Sequence, residues 1–248
     1  MSAIKKKYGI LDTIVFPPTS EASPHLCVIL CHGFGASGTD LVPLGFELRA
    51  MLGDAANSMQ MVFPAALLSL EDQGMPGGRA WWHIDMAALM EAVSGGSARL
   101  MRDEHPPQLP AAREAMLELI RELQQENGLP LNRFVLGGFS QGAMLATDVA
   151  LHLPETVGGL CLFSGTLLCE SVWRPLAARH PNLNVFISHG RHDMVLPFEA
   201  SRSLRDMFVD AEIEVDFLEF SGDHTIPAEG LERLAEMLAK QLSGSEPK

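Results

Sequence analysis

The sequence predicts an α/β fold, a doubly wound and mostly parallel sheet with helices on both faces. Two observations predict it. From about residue 25 to the end, strand-length apolar runs alternate with longer stretches whose apolar residues share one helical face. Some of the short runs are apolar without interruption, His25 to Cys31 above all, which is how a strand buried on both faces of a parallel sheet reads.

Taken in order, residues Lys7 to Phe16 alternate weakly and read as an edge strand stopped by Pro17 and Pro18. His25 to Cys31 is the first core strand. It runs into His32-Gly33-Phe34-Gly35-Ala36-Ser37-Gly38, a loop too rich in glycine to be helical, and a helix is expected from about Thr39 to Leu52. Ser58 to Phe63 is a strand ended by Pro64. Residues 65–110 show little periodicity. They hold Gly77-Gly78, the pair Trp81-Trp82 and Pro106-Pro107, with a short helix expected around Met86 to Val93. So long an irregular stretch reads as a lid or binding loop, and its tryptophans argue against disorder in its middle.

Between Ala111 and Asn127, residues Ala112, Ala115, Met116, Leu119, Ile120 and Leu123 line one helical face, and Asn127-Gly128 ends the helix. Phe134 to Gly138 is a strand, followed past Ser140 by a helix from about Ala143 to Leu151. Val157 to Phe163, Asn184 to Ser188 and Glu212 to Phe220 read as strands. Phe198 to Phe208 and Pro227 to Leu242 read as helices, the second opened by its proline. Neither an internal repeat nor a domain boundary is visible, so residues 1–248 read as a single domain.

Composition narrows the function classes. The net charge is −13, with no basic run beyond Lys5-Lys6-Lys7, which argues against nucleic acid and anionic membrane surfaces as partners. No segment is apolar for the ~18 residues of a membrane span, and no apolar run of ~7–15 residues follows the lysines as in a secretory signal. The expectation is a soluble, cytoplasmic chain without stable membrane insertion. Cys27, Cys31, Cys161 and Cys169 form no C-x-x-C pair and read as reduced core residues. The sequence does not write its oligomeric state, and a homodimer is compatible with it.

In doubly wound sheets the site lies at the carboxyl ends of the strands, so the loops to read are those near Gly33, Ser140, Phe163, Asp193 and His224. Gly138-Phe139-Ser140-Gln141-Gly142 fits G-x-S-x-G, a serine held on a tight strand-to-helix turn. Side chains at the two glycines would clash where strand and helix pass closely. A serine hydroxyl needs a base, and the base needs an orienting acid. His224 follows the last strand and Asp193 the one before it, giving the order Ser, Asp, His. Asp223 leaves the chain beside His224 in a diverging direction, and Glu170 is a second position for the acid. His189 and His192 have metal-like spacing but no obvious third ligand, so no metal is expected. A tetrahedral oxyanion needs two N–H donors. Gln141, at a helix start, and Phe34, in the first glycine-rich loop, are assigned to supply them.

These blocks, His32-Gly33-Phe34-Gly35, Gly138 to Gly142, Gly190-Arg191-His192-Asp193 and Gly222-Asp223-His224, resemble those of the phospholipase/carboxylesterase family of α/β-hydrolases, which includes the acyl-protein thioesterases. The resemblance runs from about residue 25 to 240. It implies an α/β-hydrolase fold and cofactor-free hydrolysis of carboxylic or thioesters. In that reading Ser140 is nucleophile, Asp193 orienter, His224 base, and Phe34 and Gln141 are oxyanion donors. The chain departs from the family pattern at Ala36, where an Asp is common, and at Trp81-Trp82-His83, where a Trp-aromatic-Asp block is common. These differences lie around the substrate. Trp81, Trp82 and the Gly77-Gly78 loop are expected in an acyl or alcohol pocket, against the simpler reading that the tryptophans pin the loop to the core. The sequence thus points to a serine carboxylesterase acting on small-to-medium acyl esters, a small-molecule substrate, through an acyl-enzyme. A thioesterase or lysophospholipase for longer chains, and a non-catalytic binding module on the same fold, are the alternatives.

Overall fold

The computed structural model describes residues 3–19, 23–94 and 102–244. Its elements are β1 (Ile4–Tyr8), β2 (Leu11–Phe16), β3 (Leu26–Cys31), α1 (Val42–Leu52), β4 (Met59–Pro64), β5 (Leu68–Ser69), β6 (Arg79–Ala80), α2 (Met86–Ser94) and α3 (Leu109–Asn127). There follow β7 (Phe134–Phe139), α4 (Gln141–His152), β8 (Gly159–Phe163), α5 (Glu170–Ala177), β9 (Val185–Gly190), α6 (Phe198–Asp210), β10 (Val215–Phe220) and α7 (Ala228–Ser243).

Eight strands form one sheet in the order β1-β2-β4-β3-β7-β8-β9-β10. The six from β4 to β10 in that order run parallel, and β2 and β1 are added antiparallel at one edge. Parallel strands must be covered on both faces, and every residue of β3, β4, β8 and β9 is buried. One core lies beneath α3, α4, α5 and α6, with Leu119, Val149, Trp173 and Leu204 in it. The other lies beneath α1 and α7, with Leu48, Leu234 and Leu238.

The chain leaves β3 toward β4 on one side and returns as β7 on the other. The carboxyl ends of β3 and β7 are therefore neighbours, with Cys31 paired to Gly138. That switch of direction opens the crevice where the sheet can hold a ligand. At the centre, α4 is buried from Gln141 through Leu151. Its one carboxylate, Asp148, accepts hydrogen bonds from Arg113 Nη1 at 2.9 Å and Trp173 Nε1 at 2.8 Å, so α3, α4 and α5 are tied by a satisfied buried charge.

Three elements differ from the sequence expectation. The single edge strand over Lys7 to Phe16 is a hairpin, because the chain reverses at Gly9 (φ 52) with Tyr8 paired to Leu11. The lysine triplet lies on its outer strand, where charge discourages edge-to-edge pairing. Within residues 65–110, β5 and β6 pair as a short antiparallel strap. The segment from Glu170, to which the sequence assigned no regular element, is the helix α5, which carries Pro175 within it. The Ser94–Gly95–Gly96–Ser97 stretch lies largely outside the described residues. Among the described residues no helix is long and apolar enough to cross a membrane. The four cysteines are unpaired and buried, and burial pushes the Cys27, Cys31 and Cys161 thiols well above their ordinary range.

Candidate active site

Ser140 stands between β7 and α4 with φ 55 and ψ −119, a region that costs a non-glycine residue about 1–3 kcal/mol. The surroundings hold it there. Its N–H donates to the Phe163 carbonyl at 2.8 Å, and its own carbonyl accepts the Ala143 and Met144 N–H groups at 3.0 and 3.2 Å. The two flanking glycines are required sterically. A Cβ at either Gly138 or Gly142 would overlap the Cys31 carbonyl at the end of β3. A Cβ at Gly33 would come within 3.3 Å of the Ser140 Cβ, so the glycine-rich loop after β3 lies against the elbow.

Asp193 and His224 meet beside it. His224 Nδ1 is 2.6 Å from Asp193 Oδ2. The other carboxylate oxygen, Oδ1, accepts the Val195 and Leu196 N–H groups at 2.9 and 2.8 Å. Burial alone would raise the Asp193 carboxyl, but the hydrogen bonds from His189, His224 and the Leu196 N–H outweigh it and hold the group well below the usual carboxylate range. The two loops pass in contact because Gly190 has no side chain: a Cβ there would overlap the Gly222 and Asp223 carbonyls. The His224 ring packs on Phe139 with centroids 4.7 Å apart. Ser140, His224 and Phe34 line one cavity of about 140 Å³. The other acids considered lie elsewhere. Asp223 is exposed, and Glu170 is bound bidentately by Arg102 at 2.7 and 2.5 Å and also by Arg174. Among the described residues no three metal-ligating side chains are grouped to hold an ion.

His189 was weighed in the sequence only as half of a metal-like pair with His192. It is fully buried, and its Nε2 lies 2.8 Å from the Leu196 carbonyl and 3.2 Å from Asp193 Oδ2. Asp193 thus faces two imidazoles, one on β9 and one on the loop after β10.

The Gln141 N–H opens α4, where no carbonyl lies one turn back to accept it. In the first loop the N–H groups of Gly35 and Ala36 are bonded, to Arg79 and Gly33 carbonyls. Among the described residues the N–H of Phe34 has no such partner. The Gln141 side chain is fully buried. Its Oε1 accepts the Trp81 N–H at 2.9 Å and its Nε2 donates to the Trp82 carbonyl at 2.8 Å. Trp81 lines neither cavity of the site. It is fully buried, its indole N–H donates to the His32 carbonyl at 2.9 Å, and it secures the loop instead. Gly78 likewise packs on the Gly35 carbonyl. Trp82, by contrast, lines a second cavity of about 380 Å³. Ile84, Leu89, Met144 and Leu196 border both cavities, so the two adjoin.

His32 and the Gln141 carboxamide were not distinguished in the sequence as structural parts of this loop. His32 Nδ1 donates to the Gly33 carbonyl at 2.8 Å while Nε2 accepts the Ala66 N–H at 3.0 Å. Those bonds fix a neutral ring, and burial lowers its pKa. The sequence signal for both residues was their place beside the glycine-rich blocks. Their distant partners, Ala66 for His32 and Trp81 for Gln141, lie 34 and 60 residues away.

A family model described as phospholipase/carboxylesterase matches residues 14–242. An acyl-protein thioesterase 1 of Eremothecium gossypii is 29% identical over 184 residues, which is 73% of this chain and 71% of that protein. The crystal structure of esterase PE8 superposes with a TM-score of 0.74 at 26% identity, covering 93% of this chain and 98% of that one. A carboxylesterase structure from Mesorhizobium loti has a TM-score of 0.69 at 18% identity, covering 96% and 98%.

Proposed function

The chain belongs to the phospholipase/carboxylesterase family and has the α/β-hydrolase fold, and from that premise we propose that it is a serine carboxylesterase acting on small-to-medium acyl esters. The observation that carries this reading is the 2.6 Å pair of His224 and Asp193 opening onto the same cavity as Ser140. With its Nδ1–H held by Asp193, His224 keeps Nε2 free to take the Ser140 proton as Oγ attacks the ester carbonyl. The Phe34 and Gln141 N–H groups receive the developing oxyanion, aided by the positive end of α4. His224 then protonates the leaving alcohol, an acyl-Ser140 ester remains, and water repeats the sequence with the roles of the bonds reversed.

The cavities support the substrate size. The chamber at Ser140 is about 140 Å³, below the ~300–1,000 Å³ of a typical ligand site. The adjoining chamber of about 380 Å³ has Trp82, Met144, Leu168 and Leu196 in its lining, which can receive an apolar acyl chain, with Asp85 and Glu104 also bordering it. Thioester hydrolysis is the second reading, favoured by the relatives named acyl-protein thioesterase 1. The same triad chemistry serves it, since the tetrahedral intermediate is alike.

Ser140→Ala tests the site. Hydrolysis of p-nitrophenyl butyrate is expected to fall by ~10⁴ or more, with the urea midpoint kept. Retention of about a tenth of the activity removes Ser140 from the mechanism. A profile across acyl lengths with matched oxygen esters and thioesters separates the two readings: a preference for long acyl thioesters replaces the first with the second.

A further inference from the structure

Resting on the assignment of Phe34 and Gln141 as oxyanion donors, we propose that the Gln141 side chain is a positioning group that sets the Phe34 arm of the oxyanion hole. Its main chain would then supply one donor and its carboxamide would hold the other in place.

The connection is a continuous circuit of buried bonds. The Gln141 carboxamide clamps the chain at Trp81 and Trp82, accepting from one and donating to the other at 2.9 and 2.8 Å. Trp81, so held, donates its indole N–H to the His32 carbonyl at 2.9 Å. Two residues back, Arg79 in β6 accepts the Gly35 N–H at 2.9 Å and donates its own N–H to the Ala36 carbonyl at 3.0 Å. Phe34 therefore sits in a short span anchored on both sides, at His32 and at Gly35, by one strap. The strap's far end is also fastened, since the Arg79 guanidinium bonds the Ala66 and Leu67 carbonyls while the Ala66 N–H bonds His32.

The chemistry requires a carboxamide. The strap presents one N–H and one carbonyl to a site without solvent, and only a group that both accepts and donates satisfies the two. A carboxylate cannot donate to Trp82, and a thioether or alkyl chain satisfies neither. An unsatisfied polar group in such a place is costly, so the strap would shift to find partners. The Phe34 N–H would shift with it. Oxyanion donors are sensitive to displacement, because a misplacement of ~1 Å can cost ~10²-fold in rate. Gln141 touches neither cavity with its side chain, so the loss should fall on the transition state and leave ground-state binding alone.

The test compares Gln141→Met, Gln141→Glu and Trp81→Phe with the wild type and with Ser140→Ala. All of them keep every main-chain donor, and the two Gln141 variants also keep the approximate volume. With p-nitrophenyl butyrate, Gln141→Met is expected to lower kcat ~10²-fold, with KM within about twofold. Affinity for a phenylboronic acid, whose adduct with Ser140 is tetrahedral, should fall by the same factor as kcat/KM. Gln141→Glu should lie between, and Trp81→Phe should lose kcat in the same selective way. The Gln141→Met/Trp81→Phe double variant should lose little more than Gln141→Met alone, since both act through one strap. The inference is overturned if Gln141→Met and Gln141→Glu both stay within about threefold of the wild-type kcat. It is also overturned if the losses of the two sites multiply, or if kcat falls while boronate affinity does not. Activity surviving in Ser140→Ala would instead defeat the underlying reading of the site, so the two failures are distinguishable.

Discussion

The His32 imidazole takes a proton less readily folded than unfolded. It is buried, its Nε2 already accepts the Ala66 N–H, and its pKa is lowered. The unfolded chain protonates its histidines near about 6.5. As pH falls through that value the unfolded state binds more protons than the native one, so the stability present above it is lost below it. The urea midpoint is therefore expected to fall between pH 7.5 and pH 5.5, and His32→Asn should remove part of that fall. His180, also lowered by burial, supplies another part. An equal slope in the variant would show that His32 does not carry it. Asp193 acts in a separate, lower window. Its folded carboxyl is depressed, so its contribution is complete above the ordinary carboxylate value of about 3.9 and is lost only as pH falls below that toward the folded value.

At the scale of elements, the junction of β3, β7 and α4 tolerates no added atom. Gly142→Ala would place a methyl into the Cys31 carbonyl, and a loss of about 3 kcal/mol or more is expected in urea denaturation, at the upper end for overpacked cores. Gly53→Ala is the control, with no atom within 4 Å but φ 55, and should lose less, about 1–3 kcal/mol of backbone strain. Equal losses would mean that crowding at Gly142, whose φ is not positive, costs no more than the backbone strain at Gly53. This junction was legible in the sequence because its signal is local: an apolar run, then Gly138, Ser140 and Gly142 at fixed offsets, then a helix. Asp193 and His224 were legible for a related reason, since each follows a recognisable strand in the order the sheet requires. The strap was not. β5 and β6 have two residues each, too few to show an alternation. The outer hairpin strand was hidden because Lys5, Lys6 and Lys7 look like a solvated run, and α5 because Pro175 reads as a breaker. Whether Trp81 lines a pocket or pins the loop was left open by the sequence, because burial and an indole bond to residue 32 are facts of tertiary packing.

The whole molecule carries 31 acidic against 18 basic residues, and Asp40 and Asp85 sit at the two cavities. A field of one sign acts on every approaching substrate. An ester with a carboxylate on its acyl chain is expected to show kcat/KM about tenfold below its neutral isostere at low ionic strength, with the gap narrowing as salt shortens the screening length. A gap that ignores salt would point to shape rather than charge. The buried cysteines have a consequence of another kind. Cys27, Cys31, Cys161 and Cys169 all point inward, leaving the exterior without a thiol address. Met194, next to Asp193 in sequence, is 75% exposed. A cysteine substituted there would be the one site open to a maleimide dye, and its fluorescence would report from the rim of the crevice without competing background from the rest of the chain.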